Sequence, residues 1–519
     1  MFFMSKIRIL WTDDEIEILK PHIIFLTEKG YEVETCSNGN DTVDLVSSNN
    51  YDIIFLDEHM PGMSGIDTLR RIKQIKPSVP VVMITKSEEE DIMEDAIGMH
   101  IADYLIKPVK PKQILLCLKK NIDSNRLVTE KASTGYQDDF ARISRLINDA
   151  ACAADWTEIY KKLVFWDIEL EKAEDINLRE IFNSQQQEAN NAFSKFISAN
   201  YLSWFTGEAD KPLMSHSLMR EKVFPQLSGQ HRLFFILIDN LRYDQWKIIS
   251  DELTPLYRIT EESLYYSILP TATQYSRNAI FSGLSPADIQ KHYPQLWVYD
   301  DEDKGKNMHE SELLEKQLAR LSLSIKWKYH KISSNAEGKK INDQLSDMPG
   351  ADLNVLVFNF IDLISHARTE LELIKDLAGD EAAYRTLTRS WFIHSPLYDL
   401  LKYLSTEKVK VIISTDHGTI RVNNPLKVTG DRSSSPNLRY KLGRNLDYQP
   451  SRVFDITDPH GAGLPKTNIS SRYIFARNHD YLVYPNNYNH FAKYYHNTFQ
   501  HGGISMQELM IPLVVLEPK

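Results

Sequence analysis

Apolar residues follow three successive rhythms along this chain. Over residues 6–122, short apolar runs alternate with amphipathic stretches. Ile7 to Trp11, Tyr31 to Thr35, Ile53 to Leu56, Val79 to Ile84 and Asp103 to Ile106 read as five strands, while Glu15 to Lys29 and Ser64 to Ile75 carry helical spacing. A compact βα repeat of this kind predicts a parallel sheet. Between residues 123 and 206 the strand signal disappears. Phe140 to Ala154, Trp156 to Ala173 and Ile176 to Ser203 keep a helical period, with Gly135 the lone glycine and no proline, which predicts a helical-bundle middle module. Its aromatic residues, among them Trp156, Tyr160, Phe182 and Phe193, suit core faces, so it reads as a packed linker; a relay or dimerisation element is the alternative. After a connecting segment, Gly207 to Pro225, βα alternation resumes at Arg232 and continues through residue 519. The Asn-, Ser-, Pro- and Gly-rich stretch 423–471 reads as a long loop or inserted region over a site. The expected organisation is an α/β multidomain protein divided at 1–122, 123–206 and 207–519.

Composition narrows the classes. With 42% hydrophobic and 25% charged residues, the chain has the make-up of a soluble protein. A formal net charge of −11 argues against broad nucleic-acid or membrane binding, which needs a basic surface. No helix-turn-helix pattern or basic stripe stands out, so sequence-specific DNA binding is not expected. Cys36, Cys117 and Cys152 are far apart, which fits a reducing cytoplasm. The opening Met-Phe-Phe-Met-Ser-Lys lacks the form of a signal peptide. No apolar run approaches the ~20 residues that span a bilayer, so no membrane insertion is expected.

Candidate chemistry gathers at strand ends. Asp13 and Asp14 follow the first strand, Asp57 ends the third, Thr85 the fourth, and Lys107-Pro108 follows the fifth. On a parallel sheet these ends share one edge. Clustered carboxylates repel unless a cation joins them, and hard Mg²⁺ suits an oxygen-rich pocket. Ile9 to Glu15, Leu56 to Gly62 and Lys107-Pro108 together resemble the motifs of a receiver domain of bacterial response regulators. That resemblance implies a flavodoxin-like (βα)5 fold, Asp57 as phosphoacceptor, and Mg²⁺ held by Asp13, Asp14, Asp57 and the His59 carbonyl. It further implies Thr85, Tyr104 and Lys107 as switch residues and a sensor histidine kinase as partner.

In the C-terminal half, Asp239 closes the apolar run Leu233 to Ile238, Asp362 follows Asn354 to Ile361 with His366 four residues on, and Asp416-His417 close Val409 to Thr415. His501 opens His-Gly-Gly-Ile-Ser. A lone acid after a strand is ordinarily a helix cap; the weight here lies in six ligand-type residues sharing one placement. Open α/β sheets present chemistry at this edge. Mixed Asp and His ligands suit zinc, with manganese the alternative, and two metals ~4 Å apart can clamp a phosphoryl displacement. Thr271 and Thr273, ahead of a helix-like run, are both candidates for the nucleophile.

Ile238 to Asp244, Ser414 to Gly418, and His501 to Ser505 through Glu508 and Pro512 resemble a PglZ-type domain of the alkaline phosphatase superfamily, covering about 207–519. The resemblance implies one metal on Asp239, Asp416 and His417 and another on Asp362, His366 and His501. In superfamily register, counted from Gly283, the nucleophile falls on Thr273 and its partner arginine on Arg277. Thr271 stays open, and Arg277 either stabilises transferred charge or is structural. Asn240 stands where many relatives carry glycine.

A receiver, a helical module and a PglZ-type domain in this order resemble a group of Bacteroidetes response regulators tied to type IX secretion and gliding. The implied output is a zinc-dependent phosphodiesterase acting on a nucleotide or oligonucleotide, with a phosphorylation-dependent homodimer. The competing expectation is a phosphorylation-gated, non-catalytic adaptor for a sigma factor or secretion-system protein.

Overall fold

The computed structural model describes residues 7–77, 79–86, 101–118, 120–121, 124–173, 175–207, 211–227, 232–299, 302, 305, 307–344, 350–364, 379–431, 434–468 and 470–519. It divides into two compact units, Met1–Tyr136 with Lys172–Asp175, and Gln137–Glu171 with Ile176–Lys519.

The first unit contains β1 (Arg8–Thr12), α1 (Ile16–Glu28), β2 (Glu32–Cys36), α2 (Gly39–Ser48), β3 (Ile53–Asp57), α3 (Gly65–Ile75), β4 (Val81–Thr85), β5 (Asp103–Ile106) and α4 (Pro111–Leu118). All five strands are parallel, in the order β2-β1-β3-β4-β5. Alternate side chains enter opposite faces, which makes two cores. Leu10, Ile54, Leu56 and Met83 face one; Ile9, Trp11, Phe55 and Ile84 face the other. β1 and β4 run one residue past their apolar runs, to Thr12 and Thr85. Ladder pairing sets those ends: Thr12 pairs with Cys36 and Leu56, and Thr85 with Ile106.

The middle of the chain is three long helices, α5 (Ser124–Asp149), α6 (Ala153–Ala173) and α7 (Ile176–Asn200). α5 begins well before Phe140, because its first half is mostly polar and gives no apolar stripe to read. Within the second unit, Trp156 of α6 packs on Phe193 of α7 at 5.4 Å between ring centroids. Both helices are tied to the C-terminal sheet and its loops. Tyr266 donates to the Ala153 carbonyl (2.9 Å), and Asn190 donates to Gln507 (3.0 Å) and accepts from the Met506 amide (2.9 Å).

That sheet is built from β6 (Leu233–Ile238), β7 (Tyr257–Tyr266), β8 (Trp327–Ile332), β9 (Leu353–Phe358), β10 (Lys410–Ser414) and β18 (Met510–Pro518). Their order is β7-β18-β10-β6-β9-β8, with β8, β9, β6 and β10 parallel and β18 antiparallel to both neighbours. β6 is buried throughout, as expected of a central strand covered on both faces. β9 stops at Phe358, and residues 360–364 are helical, so Asp362 sits in a helical turn beyond the strand. The apolar run to Ile361 had merged the strand with the start of that turn. Helices α8 (Tyr243–Leu253), α9 (Thr273–Ser282), α10 (Glu310–Arg320), α11 (Glu381–Ile393) and α12 (Pro396–Thr406) belong to this unit.

The stretch expected as a long loop or insert holds three short strands, β12 (Asn424–Lys427), β13 (Tyr440–Gly443) and β14 (Val453–Ile456). With β11 (Ile420–Arg421), β15 (Arg472–Ala476), β16 (Asp480–Val483) and β17 (Phe499–Gln500), they form the small sheets β11-β17, β12-β16 and β13-β15-β14. A further helix, α13 (Tyr488–Tyr494), follows β16.

One histidine with an enclosed ring nitrogen makes stability pH-dependent. His216 stacks on Phe205 (5.7 Å, 28°), and its Nδ1 is buried without a hydrogen-bond partner among the described residues. Burial, helped by Lys211 and Arg220, pushes its imidazole down to about 4. An unfolded histidine titrates near 6.5, so below that pH the unfolded chain binds the additional proton, and stability falls until the folded value is passed. The expected loss reaches roughly 2–3 kcal/mol near pH 4. Thermal melts from pH 7 to 4.5 should decline less steeply for His216→Phe than for the parent, and equal slopes would contradict a neutral buried imidazole.

Candidate functional site

The sheet brings chemistry to one edge. β6, β9, β10 and β7 end there, and antiparallel β18 begins there. Asp239 follows β6 and donates its backbone N–H to the Phe358 carbonyl of β9 (2.8 Å). Asp416 and His417 follow β10, Thr271 and Thr273 follow β7, and the His501 loop precedes β18. Register between strands thus converts distant sequence positions into neighbours.

Asp239, Asp416 and His417 are all buried, and they offer donor atoms within 4.8 Å of one another. Asp239 Oδ1 has no hydrogen-bond partner among the described residues and lies 3.8 Å from His417 Nε2. His417 Nδ1 donates to the Gly418 carbonyl (3.2 Å), which leaves the Nε2 lone pair facing the acids. His501 Nδ1 likewise donates to the Thr271 carbonyl (3.1 Å), and its Nε2 is 4.0 Å from Asp362 Oδ1. Fixing the imidazole tautomer through a backbone carbonyl is how metal-binding histidines are commonly oriented. The two rings stack at 4.3 Å and 17°, so the two groups adjoin. Carboxylate oxygens and imidazole nitrogens so presented fit a divalent transition metal. Five of the six expected ligands therefore meet; His366 lies outside the described residues.

Arg277 joins the acids. It is fully buried, its Nε bonds Asp416 Oδ2 (3.0 Å), its Nη2 pairs with Asp239, and its Nη1 reaches Asn359 (3.2 Å) and Glu310 (3.4 Å). Burial drives Asp239 well above the usual carboxylate range; Arg277 opposes this while Asp416 and Asp362 add to it. Burial also works against ionised Asp416, but Arg277 holds it below the usual carboxylate range. Two carboxylates share one cation, and Asp239 is the member that resists ionisation. Every nitrogen of Arg277 has an acid or amide partner, so its geometry is that of a group holding ligands in place.

The two threonines differ. Thr273 opens α9 with Oγ1 3.0 Å from His417 Nε2. Thr271 is fully buried, accepts from the Gly502 amide (3.0 Å) and donates to the Gly503 carbonyl (3.0 Å). The former faces the acid–imidazole cluster; the latter fastens the His501 loop.

Asn240 has φ 64°. Asparagine tolerates this left-handed conformation better than most residues, which accounts for its standing where glycine is common. The turn aims the Leu241 amide at Thr415 Oγ1 (3.0 Å), and the Asn240 side chain donates to Asp362 (3.3 Å).

Among the supporting residues, Glu508 and Gly418 lie within the motifs that carry the PglZ-type resemblance, whereas Arg439, Asn307 and Glu310 gave no readable signal in the sequence. Glu508 pairs with buried Arg439, accepts from the Gly503 amide (2.9 Å) and receives the Ser505 hydroxyl (2.7 Å). Asn307 donates to the Thr273 carbonyl (3.0 Å), and Glu310 meets Lys331 (3.0 Å) and Tyr329. A Cβ on Gly418 would stand 2.1 Å from the Gln507 carbonyl oxygen, so backbones approach there as only glycine allows. Arg439 lies in the Asn/Ser/Pro/Gly-rich stretch and Asn307 and Glu310 in a polar one. Only long-range packing distinguishes them.

In the first unit, Asp13, Asp14 and Asp57 also present oxygens within 4.8 Å of one another. Lys107 Nζ bridges Asp13 (2.7 Å) and Asp57 (3.0 Å), and its amide bonds the Thr85 carbonyl (2.7 Å). Burial raises Asp57 above the usual carboxylate range; Lys107 opposes this and Asp13 reinforces it. Asp14 and His59 are exposed, Thr85 is buried, and Tyr104 packs partly buried against the core.

Comparison with known proteins agrees with this arrangement. Residues 218–516 match the BREX system PglZ alkaline phosphatase-like domain, 126–205 the PorX response regulator linker domain, and 9–119 the response regulator receiver domain. The chain belongs to the PglZ alkaline-phosphatase-like family. With its receiver and linker, it has the domain combination of a PorX-type response regulator. The N-terminal part is 31% identical over 115 residues to the transcriptional regulatory protein ResD of Bacillus subtilis, covering 22% of this chain and 48% of that one. It is 28% identical over 139 residues to SrrA of Staphylococcus aureus, covering 27% and 57%. The chain thus spans about half the length of these curated relatives. Among solved structures, a receiver domain from Clostridium thermocellum is 31% identical, covering 23% of this chain and 98% of that one, with a TM-score of 0.22. A CheY-like receiver domain from Methanospirillum hungatei is 25% identical, covering 23% and 96%, with a TM-score of 0.23. Among the described residues, no helix is long and apolar enough to cross a membrane.

The threonines make opposite demands on stability. Thr271→Val strands the buried Gly502 amide and should cost about 1–3 kcal/mol, read as a lower denaturation midpoint. Thr273→Val should leave the midpoint near that of the parent. Equal destabilisation by both would refute the division of roles.

Proposed function

We propose that this response regulator, with domains at 1–122, 123–206 and 207–519, carries a zinc-dependent phosphodiesterase as its output, acting on nucleotides or oligonucleotides. The observation that supports it most is the Thr273 hydroxyl at 3.0 Å from His417 Nε2, beside the buried Asp239 and Asp416. In this reading Asp239, Asp416 and His417 hold one Zn²⁺, and Asp362, His366 and His501 hold the other. Bound zinc supplies Lewis acidity and charge neutralisation at the phosphoryl oxygens. Thr273, the first residue of α9, then presents its oxygen at the positive end of a helix dipole. Its Oγ1 attacks phosphorus in line, the ester oxygen leaves, and water in a second displacement frees Oγ1. Arg277 keeps Asp239 and Asp416 at ligand spacing, and Asn240 positions Asp362.

Regulation rests on the first unit. Asp57 accepts a phosphoryl group from a sensor histidine kinase, with Mg²⁺ held by Asp13, Asp14, Asp57 and the His59 carbonyl. Thr85 and Lys107 follow the new charge, and Tyr104 reports the switch. The result is a phosphorylation-dependent homodimer in the cytoplasm that regulates type IX secretion and gliding through a sigma factor or secretion-system protein.

Purified protein should cleave at least one of an aryl phosphodiester, an aryl monoester and an oligonucleotide, losing turnover with chelator and regaining it with zinc. Thr273→Val should lower kcat by on the order of 10³-fold or more. No turnover on any of the three would leave the non-catalytic adaptor, and turnover that survives chelation would reject the zinc assignment. Separately, beryllium fluoride with Mg²⁺ should double the sedimenting mass of the parent and leave Asp57→Asn a monomer; an unchanged parent mass rejects the phosphorylation-driven dimer.

A further inference from the structure

One charged side chain outside this centre is buried with no opposite charge to answer it among the described residues. Lys441 of β13 is 1% exposed. Its Nζ donates to the Pro436 carbonyl at 3.2 Å and lies 4.1 Å from the Tyr484 ring centroid. It forms no ion pair among the described residues, and burial pushes its amine down to about 7. Its buried neighbours are matched differently: Arg439 has Glu508, and Asp480 has Arg452. An ammonium removed from water without an anion is costly unless something supplies one.

Lys441 lines a cavity of about 540 Å³ whose wall includes Pro436, Leu482, Tyr484, Phe491 and Tyr495. That volume lies within the range of small-molecule sites, which are mostly apolar with a few placed polar groups. Asp431 also borders it, and Arg444 lies 3.6 Å from that carboxylate. The cavity is distinct from the metal-type centre. Tyr440, one residue earlier on β13, packs against Gly502 and stacks edge-on with Tyr275 at 5.8 Å. Successive strand residues face opposite sides, so Lys441 turns away from that centre while sharing its strand.

We propose that this cavity binds a small phosphorylated ligand with an aromatic ring, of the nucleoside monophosphate class, its phosphate on Lys441 and its ring against Phe491 and Tyr495. A phosphate oxygen completes the ammonium's missing partner. Phe491 is 37% exposed, so this side of the cavity offers an aromatic face that a planar base can cover. Because β13 carries both Lys441 and Tyr440, the ligand sits directly behind the His501 loop.

The test is calorimetric titration of AMP, adenosine and inorganic phosphate into the full chain, with and without chelator. Chelator separates this site from the metal-type centre. AMP should bind in both conditions, and adenosine should bind at least about tenfold more weakly. Lys441→Met should lose at least about tenfold in AMP affinity, and it is expected to fold, since it removes an unpaired buried charge without changing shape much. Phe491→Ala, at a half-exposed position, should weaken AMP but leave phosphate unchanged. Adenosine binding as tightly as AMP, unchanged AMP affinity in Lys441→Met, AMP binding that vanishes with chelator, or no AMP binding at millimolar concentration would each overturn the proposal.

Discussion

The pairing of Arg277 with Asp239 and Asp416 is the interaction on which the C-terminal site depends. Two buried carboxylates at the ends of neighbouring strands repel each other, and without a shared cation they would separate or take up protons. Arg277 reaches both from α9, the same helix that Thr273 opens. One side chain therefore sets the spacing of two candidate ligands and the position of the candidate nucleophile. Glu310 and Asn359 occupy its remaining nitrogen, so the guanidinium cannot swing away without breaking a third and a fourth contact.

A comparable logic links the helical module to the sheet. Arg385 of α11 bonds Asp167 (2.7 Å) and Glu171 of α6 and Asp244 of α8 (3.1 Å), and Arg242 bonds Asp244 (2.5 Å) and Glu381 (2.6 Å). These groups are largely buried, where removing one partner is far more damaging than at a surface. Arg242 also lies over Phe499, 5.3 Å from its ring, just before His501. Residues 153–171 of α6 and the whole of α7 thus belong to the same unit that carries the metal-type cluster, although the sequence presented them as part of a separate module.

Much of the candidate site was legible before any coordinate. Asp239, Asp416 and His417 stand at the ends of apolar runs, and apolar runs mark buried strands whose ends share an edge in a parallel sheet. The receiver acids were legible for the same reason. The threonine was legible only through the resemblance, whose register from Gly283 falls on Thr273. Local pattern left Thr271 open, because the two are two residues apart, identical in type, and lie at the start of a helix whose first residue no local pattern fixes. The strand before Asp362 was read too long, because the apolar residues after Phe358 belong to a helical turn that also faces the core.

By itself, the sequence determined the alternation of strands and helices, the three-part division of signal, and that Asp239, Asp416 and His417 end up just past strand termini. These follow from local periodicity and from the short reach of chain connectivity. Tertiary structure alone decided that Arg277 is consumed by the acids, that Thr271 fastens the His501 loop while Thr273 faces His417, and that Lys441 is buried without an acid partner among the described residues. Each of those outcomes is a relation between residues far apart in the chain, set by strand register and packing, and no window of neighbouring residues contains it.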